Sequence, residues 1–310
     1  MKAFLRIPRF ARTPSGAIGL GLLVFVLLVA FLGPLIAPDS ITETVGPPGQ
    51  SPSGPAPFGT DFLGRDVFSR LLNGGHSVVL LGCAATALSY LLGVTVGLVA
   101  GYTRSVVDPL LMRTMDVLLA FPALLILLVL ATGLGAHMWV LVVGVALVQL
   151  PAIARIIRTT TMEASTRGYV DAAVARGERP AAIMRREILP NVLPVLLADF
   201  GIRFGYSIVL IASMNFLGLG LTPPAADWGL MISENRNYIA LNIWSVLAPA
   251  IMLALLTIAV NLTADAFVRS LGRSVGRGKR RRPSAVATAL ADLPAVAELP
   301  AAGGPMGGAR

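Results

Sequence analysis

Charge is scarce in this sequence. Asp, Glu, Lys and Arg make up 13% of its 310 residues, about half the share usual in soluble domains, which leaves too little polar surface to face water on all sides. Cysteine is nearly absent. Cys83 stands alone in an apolar stretch, so an internal disulfide and a thiolate metal site are excluded. His76 and His137 lie far apart and fit no metal-ligand spacing such as HExxH; both flank apolar blocks, where an interfacial imidazole is the simpler reading. Lysine occurs only at Lys2 and Lys279, neither within GxxxxGK[ST], so the sequence holds no P-loop to cradle a nucleotide.

Apolar residues are what it has, 55% of the total at a mean hydropathy of +0.77. They fall in six blocks: 17–37, 77–101, 114–133, 138–157, 193–220 and 243–268. Each holds about 20 residues or more, enough for a helix to cross a hydrocarbon core of about 30 Å. Gly93, Gly97, Pro122, Pro151 and Pro249 do not veto helix, because packed membrane helices tolerate both residue types. The first block is too long for a signal peptide and no A-x-A-like site closes it, so it reads as a retained anchor.

The net charge of +9 points to membrane topology rather than to nucleic acid, because the basic residues sit between and beyond the blocks with no aromatic partners. With the N-terminus in the cytoplasm, 21 of the 25 Lys and Arg residues lie inside. Only Arg65, Arg70 and Arg236 lie outside, and Arg203 is within the fifth block. That asymmetry orients the chain with both termini inside. The fold class expected is an all-α integral membrane protein with six spanning helices. Its divisions are residues 1–76 (N-terminus, first span and external linker), a five-helix core at 77–270, and a basic tail at 271–310.

Between the first two spans, the Pro/Gly-rich stretch 45–59 reads as an extended, poorly ordered linker. Leu63, Val67 and Leu71 then recur at helical spacing, with Phe68 and Leu72 alongside, as in a short amphipathic helix lying on the outer surface. The tail after Gly278 reads as disordered, with its Lys279–Arg282 run near anionic headgroups.

Charges also fall inside the blocks. Arg113 and Asp116 share a helix face, and Asp199 and Arg203 are spaced i,i+4. A charge at the bilayer centre costs about 2.5–3.5 kcal/mol on insertion scales. Arg203 reads as snorkelling to the inner surface, while the spacing leaves Asp199 open between that and a carrier's carboxylate. Ser213, Met214 and Asn215 are candidates for lining a translocation path, with Asn215 equally able to bond a neighbouring helix.

The connection 158–190 is the most ordered of the loops. Residues 169–176 form an Ala-rich segment with Asp171 in its first turn, where the helix dipole favours an acid. Gly177 stands where a left-handed residue would end that helix, and Pro180 where the next would begin, stopping at Leu189-Pro190. The implied object is a rigid elbow, with Ala172, Ala173 and Ala175 keeping its flank thin enough to enter a groove on another protein.

Asp171-Ala-Ala-x-x-x-Gly177 with Ile188-Leu-Pro190 resembles the EAA motif of ABC-importer permeases. Three further segments resemble the dipeptide/oligopeptide branch of that family: Phe58-Gly-Thr-Asp61-Phe-Leu-Gly64-Arg65-Asp66-Val-Phe-Ser-Arg70-Leu, Leu111-Met-Arg113-x-x-Asp116-Val-Leu-Leu-Ala-Phe121-Pro122, and Asn215-Phe-Leu-Gly218-Leu-Gly220 with Trp228-Gly229. The likeness covers about residues 17–269. It departs at Asp171, where the family has Glu, at Glu187, where this branch has His, and beyond about residue 272.

The resemblance implies a permease subunit in a bacterial inner membrane. Tyr169, Asp171, Ala172, Ala173, Gly177, Leu189 and Pro190 would contact a separate ATPase. Partners would be a second homologous permease, two ATPase subunits that bind ATP and Mg, and an extracytoplasmic solute-binding protein. No cofactor or metal would reside in this chain, and it would be no enzyme. An ion-coupled carrier working alone is the alternative, opposed by the elbow and by the lack of an internal repeat. A membrane scaffold would explain the elbow but not the other three motifs.

Overall fold

A computed structural model describes residues 13–103 and 105–276, with side chains to residue 270. The basic residues before Thr13, Arg104 and the tail run at 279–282 lie outside the described residues. Among the described residues all regular structure is helical apart from isolated bridges such as Thr44 to Arg65 and Thr60 to Asp66.

Five stretches are long and apolar enough to span a bilayer. The first is α1, Pro14–Ile36, N-capped by the Thr13 hydroxyl on the Gly16 N–H. Next come α2, Val67–Asn73, and α3, Gly75–Thr103, which together make one long stretch. Then follow α4, Val107–Leu119, and α5, Ala123–Leu134. The third continuous span is α6, Met138–Ala164. Beyond it lie the short helices α7, Gly168–Ala175, and α8, Pro180–Ile183. They lead into α9, Leu189–Phe216, then α10, Trp228–Asn235, and finally α11, Trp244–Gly276.

The block at 114–133 is not one helix. It is broken at Ala120-Phe121-Pro122, where α4 and α5 meet at 84°. Pro122 disfavours helical geometry at Phe121 and becomes the N-cap of α5. Pro151 and Pro249, by contrast, sit inside α6 and α11. Asp108 forms a two-pronged bond with Arg158 of α6, and Asp116 pairs with Arg155 rather than with Arg113. Both pairs fasten α4 to α6.

The 45–59 stretch is not an extended linker either. Val45 N–H bonds Gly64 O at 2.9 Å, Gly49 N–H bonds Asp61 O at 2.9 Å, and Thr60 N–H bonds Gln50 O at 3.0 Å. The helix expected on the outer surface is the buried α2. Val67, Leu71 and Leu72 are at most 6% exposed, while Leu63, outside the helix, is 50% exposed. Val67 and Leu71 pack with Val26 and Ala30 of α1, Val78 of α3, Ile208 of α9 and Trp228 of α10 in one core.

Helix α3 lies hard against α6 along Gly93, Gly97 and Gly101. A Cβ on any of these would meet α6 atoms at 2.6 Å. Small residues at i, i+4 and i+8 let the backbones approach, and dispersion does the work that water exclusion cannot do in lipid.

The charge asymmetry sets the expected topology. Reporter fusions at residues 53 and 222–240 should report an external location, and fusions at 160–188 an internal one; a cytoplasmic signal at Ser53 would reverse the orientation.

Candidate functional site

The elbow begins where α6 ends. Ser165 N–H bonds Thr161 O at 2.8 Å, Arg167 N–H bonds Ala164 O at 3.1 Å, and α7 starts at once from Arg167. Its other end is a Schellman motif: Gly177 N–H bonds Val174 O at 2.9 Å and Glu178 N–H bonds Ala173 O at 3.2 Å. Gly177 has φ +74°, and a Cβ there would meet nothing within 4 Å. The glycine is therefore required by backbone conformation alone.

Helix α8 does not stop at Leu189-Pro190. A π-turn at Met184–Ile188 carries it into α9, with Leu189 N–H bonding Met184 O. Pro190 explains the wider turn. It has no N–H to give and its ring crowds the carbonyl four residues back, so the preceding turn loosens instead of breaking.

Val170 and Ala173 of α7, Ile183 and Ile188 of the following turn, and Val192 and Leu196 of α9 are buried in one cluster with Leu98, Ile153 and Ile157. For the elbow's own branched aliphatics, Val170, Ile183 and Ile188, burial away from water contributes about 1.5–3 kcal/mol each. Tyr169 and Leu189 pack half-buried against the same cluster. The elbow is thus welded to the inner ends of α3, α6 and α9.

Its outer face carries Asp171, Ala172 and Ala175, all exposed, and Val174, 56% exposed. Ala173 is turned inward at 0% exposure, so it braces the elbow rather than thinning its outer flank. Val174 was not singled out from the sequence; an apolar residue on an otherwise alanine face was its only signal. Pro190 is exposed on the far side of the turn. Arg176 bonds Glu178 at 2.7 Å and lies 3.9 Å from Glu187, which gives the unusual residue at 187 a partner inside the elbow.

At the opposite end of the helices, motif residues far apart in sequence meet. Asp61 takes Arg65 Nε at 2.6 Å and Arg70 Nη1 at 3.0 Å, and Glu234 takes Arg70 Nη2 at 2.7 Å. Burial pushes the Glu234 carboxyl above the usual range, and Arg70 and Arg65 pull it back. Asp227 caps α10 through the Gly229 and Leu230 N–H groups and also accepts from Ser77 and Asn215. Burial raises its pKa while these donors oppose the rise. Trp228 donates from Nε1 to Leu71 O at 2.9 Å. These residues fasten α2 and α10 together.

Of the three path candidates, Ser213 alone lies in a groove. Met214 and Asn215 are 0% exposed; Asn215 donates to Asp227 Oδ1 at 2.7 Å and accepts from Leu221 N–H at 2.9 Å, the structural alternative left open for it. The groove, about 710 Å³, runs between α9 and α11 past Leu124, Val209, Ser213, Phe216, Leu253 and Ile258.

Residues 93–277 match the family described as the inner membrane component of binding-protein-dependent transport systems. The chain belongs to that family. Residues 3–51 also match the N-terminal transmembrane domain of oligopeptide transport permease C. A di/tripeptide transport system permease protein, DppC, of Pseudomonas aeruginosa is 36% identical over 260 residues, 81% of this chain and 86% of its own length. A glutathione transport system permease protein, GsiD, of Pectobacterium atrosepticum is 33% identical, covering 80% and 84% respectively. Among solved structures, the methionine ABC transporter MetNI in inward-facing conformations has a chain that superposes with a TM-score of 0.54 at 20% identity. The match covers 65% of this chain and 96% of that one. The fold is that of an ABC-importer permease, and this chain is a transport subunit of a bacterial inner membrane, not an enzyme.

Proposed function

We propose that this subunit forms one half of the solute path of an importer for short peptides, and that its 168–177 elbow docks on a separate ATPase. The elbow carries the reading: a short helix, fixed by a left-handed glycine and by burial of Val170 and Ala173, holds small residues and one acid toward solvent. A joining loop needs none of this. The partners are a second homologous permease, two ATPase subunits binding ATP and Mg, and an extracytoplasmic solute-binding protein. Nucleotide-driven movement of the ATPases passes through Tyr169, Asp171, Ala172, Ala173, Gly177, Leu189 and Pro190 to α6 and α9, and the path alternates between outward and inward access.

Peptide as the solute rests on the relatives' names. Purification of the assembled importer with its binding protein, followed by mass spectrometry of the bound solute, is expected to return di-, tri- or longer peptides. A metal ion or a sugar as the sole bound solute would contradict the assignment.

A further inference from the structure

A second recess, of about 340 Å³, adjoins the groove beside Ser213 and shares Val209 and Thr257 with it. The two form one track along α9 and α11, apolar at the Phe216 end; the other end adds the polar groups of Arg203, Tyr206 and Asn261 beside the apolar Ile202. Arg203 is the one charged residue among those lining either recess.

Its guanidinium bonds a carboxylate on its own helix, and that carboxylate is tied to a second helix. Asp199 Oδ2 accepts Arg203 Nε at 3.0 Å within α9, and the same oxygen accepts the Tyr90 hydroxyl of α3 at 3.0 Å. The bond to Asp199 uses Nε, and among the described residues no side-chain bond from the Nη groups is found, which leaves that fork for a partner in the recess. Such a fork fits a carboxylate in two-pronged geometry. The Asp199–Arg203 ion pair balances the charge of an arginine within a spanning helix, and Tyr90 holds the carboxylate of that pair.

We infer that Arg203 is a solute-contacting residue of the path, reading the carboxylate of a small solute as it passes that end of the track. The inference rests on the peptide-import reading only for the origin of the carboxylate, which every unmodified peptide carries at its C-terminus. Asp199 and Tyr90 act as positioning residues through Arg203.

The test uses the complete importer in proteoliposomes, with Cys83→Ser and Tyr206→Cys in this chain. Modification of this chain is followed with an anionic and a cationic methanethiosulfonate reagent of similar size. The anion-to-cation rate ratio is expected to be about tenfold higher with Arg203 than with Arg203→Gln, as a focused positive charge requires. In the Cys83→Ser background without the new cysteine, Arg203→Gln should lower peptide uptake about tenfold. Subunit assembly and solute binding to the binding protein should be unchanged, and Arg203→Lys should restore part of the uptake. A Tyr206→Cys thiol inert to both reagents would overturn the inference, since lipid or the second permease would then seal the recess. An unchanged ratio, or unchanged uptake in Arg203→Gln, would overturn it too. An intact anion preference in an importer that carries a carboxylate solute other than a peptide would support Arg203 and overturn the peptide assignment instead.

Discussion

Gly177→Val is expected to leave the subunit in the membrane and to abolish uptake. At φ +74° a β-branched residue is strained by about 1–2 kcal/mol, with no neighbouring atom to blame because the space around a Cβ is open. A penalty of that size lowers the population of the native turn about 5–30-fold against any rebuilt one. Rebuilding loses the two bonds that close α7, from Gly177 to Val174 and from Glu178 to Ala173, and so re-aims Asp171, Ala172 and Val174. No spanning helix changes, so membrane abundance should hold while recovery of the ATPase falls about tenfold for each 1.4 kcal/mol of lost docking. Gly177→Asn is the control: asparagine tolerates the left-handed region and should keep most of the uptake. Asp171→Lys should mimic valine at 177 without touching the turn, because it reverses the charge near the start of α7. Abundance, ATPase recovery and uptake are measured in the same cells. Wild-type values for both Gly177→Val and Asp171→Lys would remove the elbow from the docking surface.

Gly97→Leu should act one step earlier, on the fold itself. A Cβ at 97 would lie 2.6 Å from Ile157 Cβ and 2.7 Å from Ala154 O. A side chain can turn aside, but a helix carbonyl cannot move without its helix, so α3 and α6 must separate. Separation also opens the Gly93 and Gly101 contacts, and the total exceeds the about 1–3 kcal/mol typical of an overpacked core. Membrane abundance is expected to fall about tenfold, and what remains should recover little ATPase because α6 carries the elbow. Gly21→Leu has nothing within 4 Å of its Cβ and should be silent. Normal abundance of Gly97→Leu would mean that α3 and α6 do not meet along this stripe.

Hydropathy made five of the spans legible, because a bilayer selects about 20 apolar residues whatever their partners. It missed the break at Phe121-Pro122, since Pro151 and Pro249 show the same residue type inside intact helices. The difference lies in Asp108 and Asp116, which tie α4 to α6, and tertiary pairing has no local signature. The Gly177 turn was readable because a left-handed end to a helix is written in one residue. The inward direction of Ala173 was not, because which face of α7 packs depends on Ile183 and Ile188 across the turn. The Asp61–Arg70–Glu234 cluster was out of reach for a similar reason. Its members stood in motifs or outside them with no assigned role, and Arg70 and Glu234 are 164 positions apart.

This chain is expected to move solute only when a separate ATPase drives it. The direct measurement is solute uptake into proteoliposomes holding the complete importer, compared with the same assembly carrying hydrolysis-dead ATPase subunits and with this chain alone under a proton gradient. Uptake should appear in the first and stay at background in the other two. Full uptake by this chain alone, driven by the proton gradient, would contradict it.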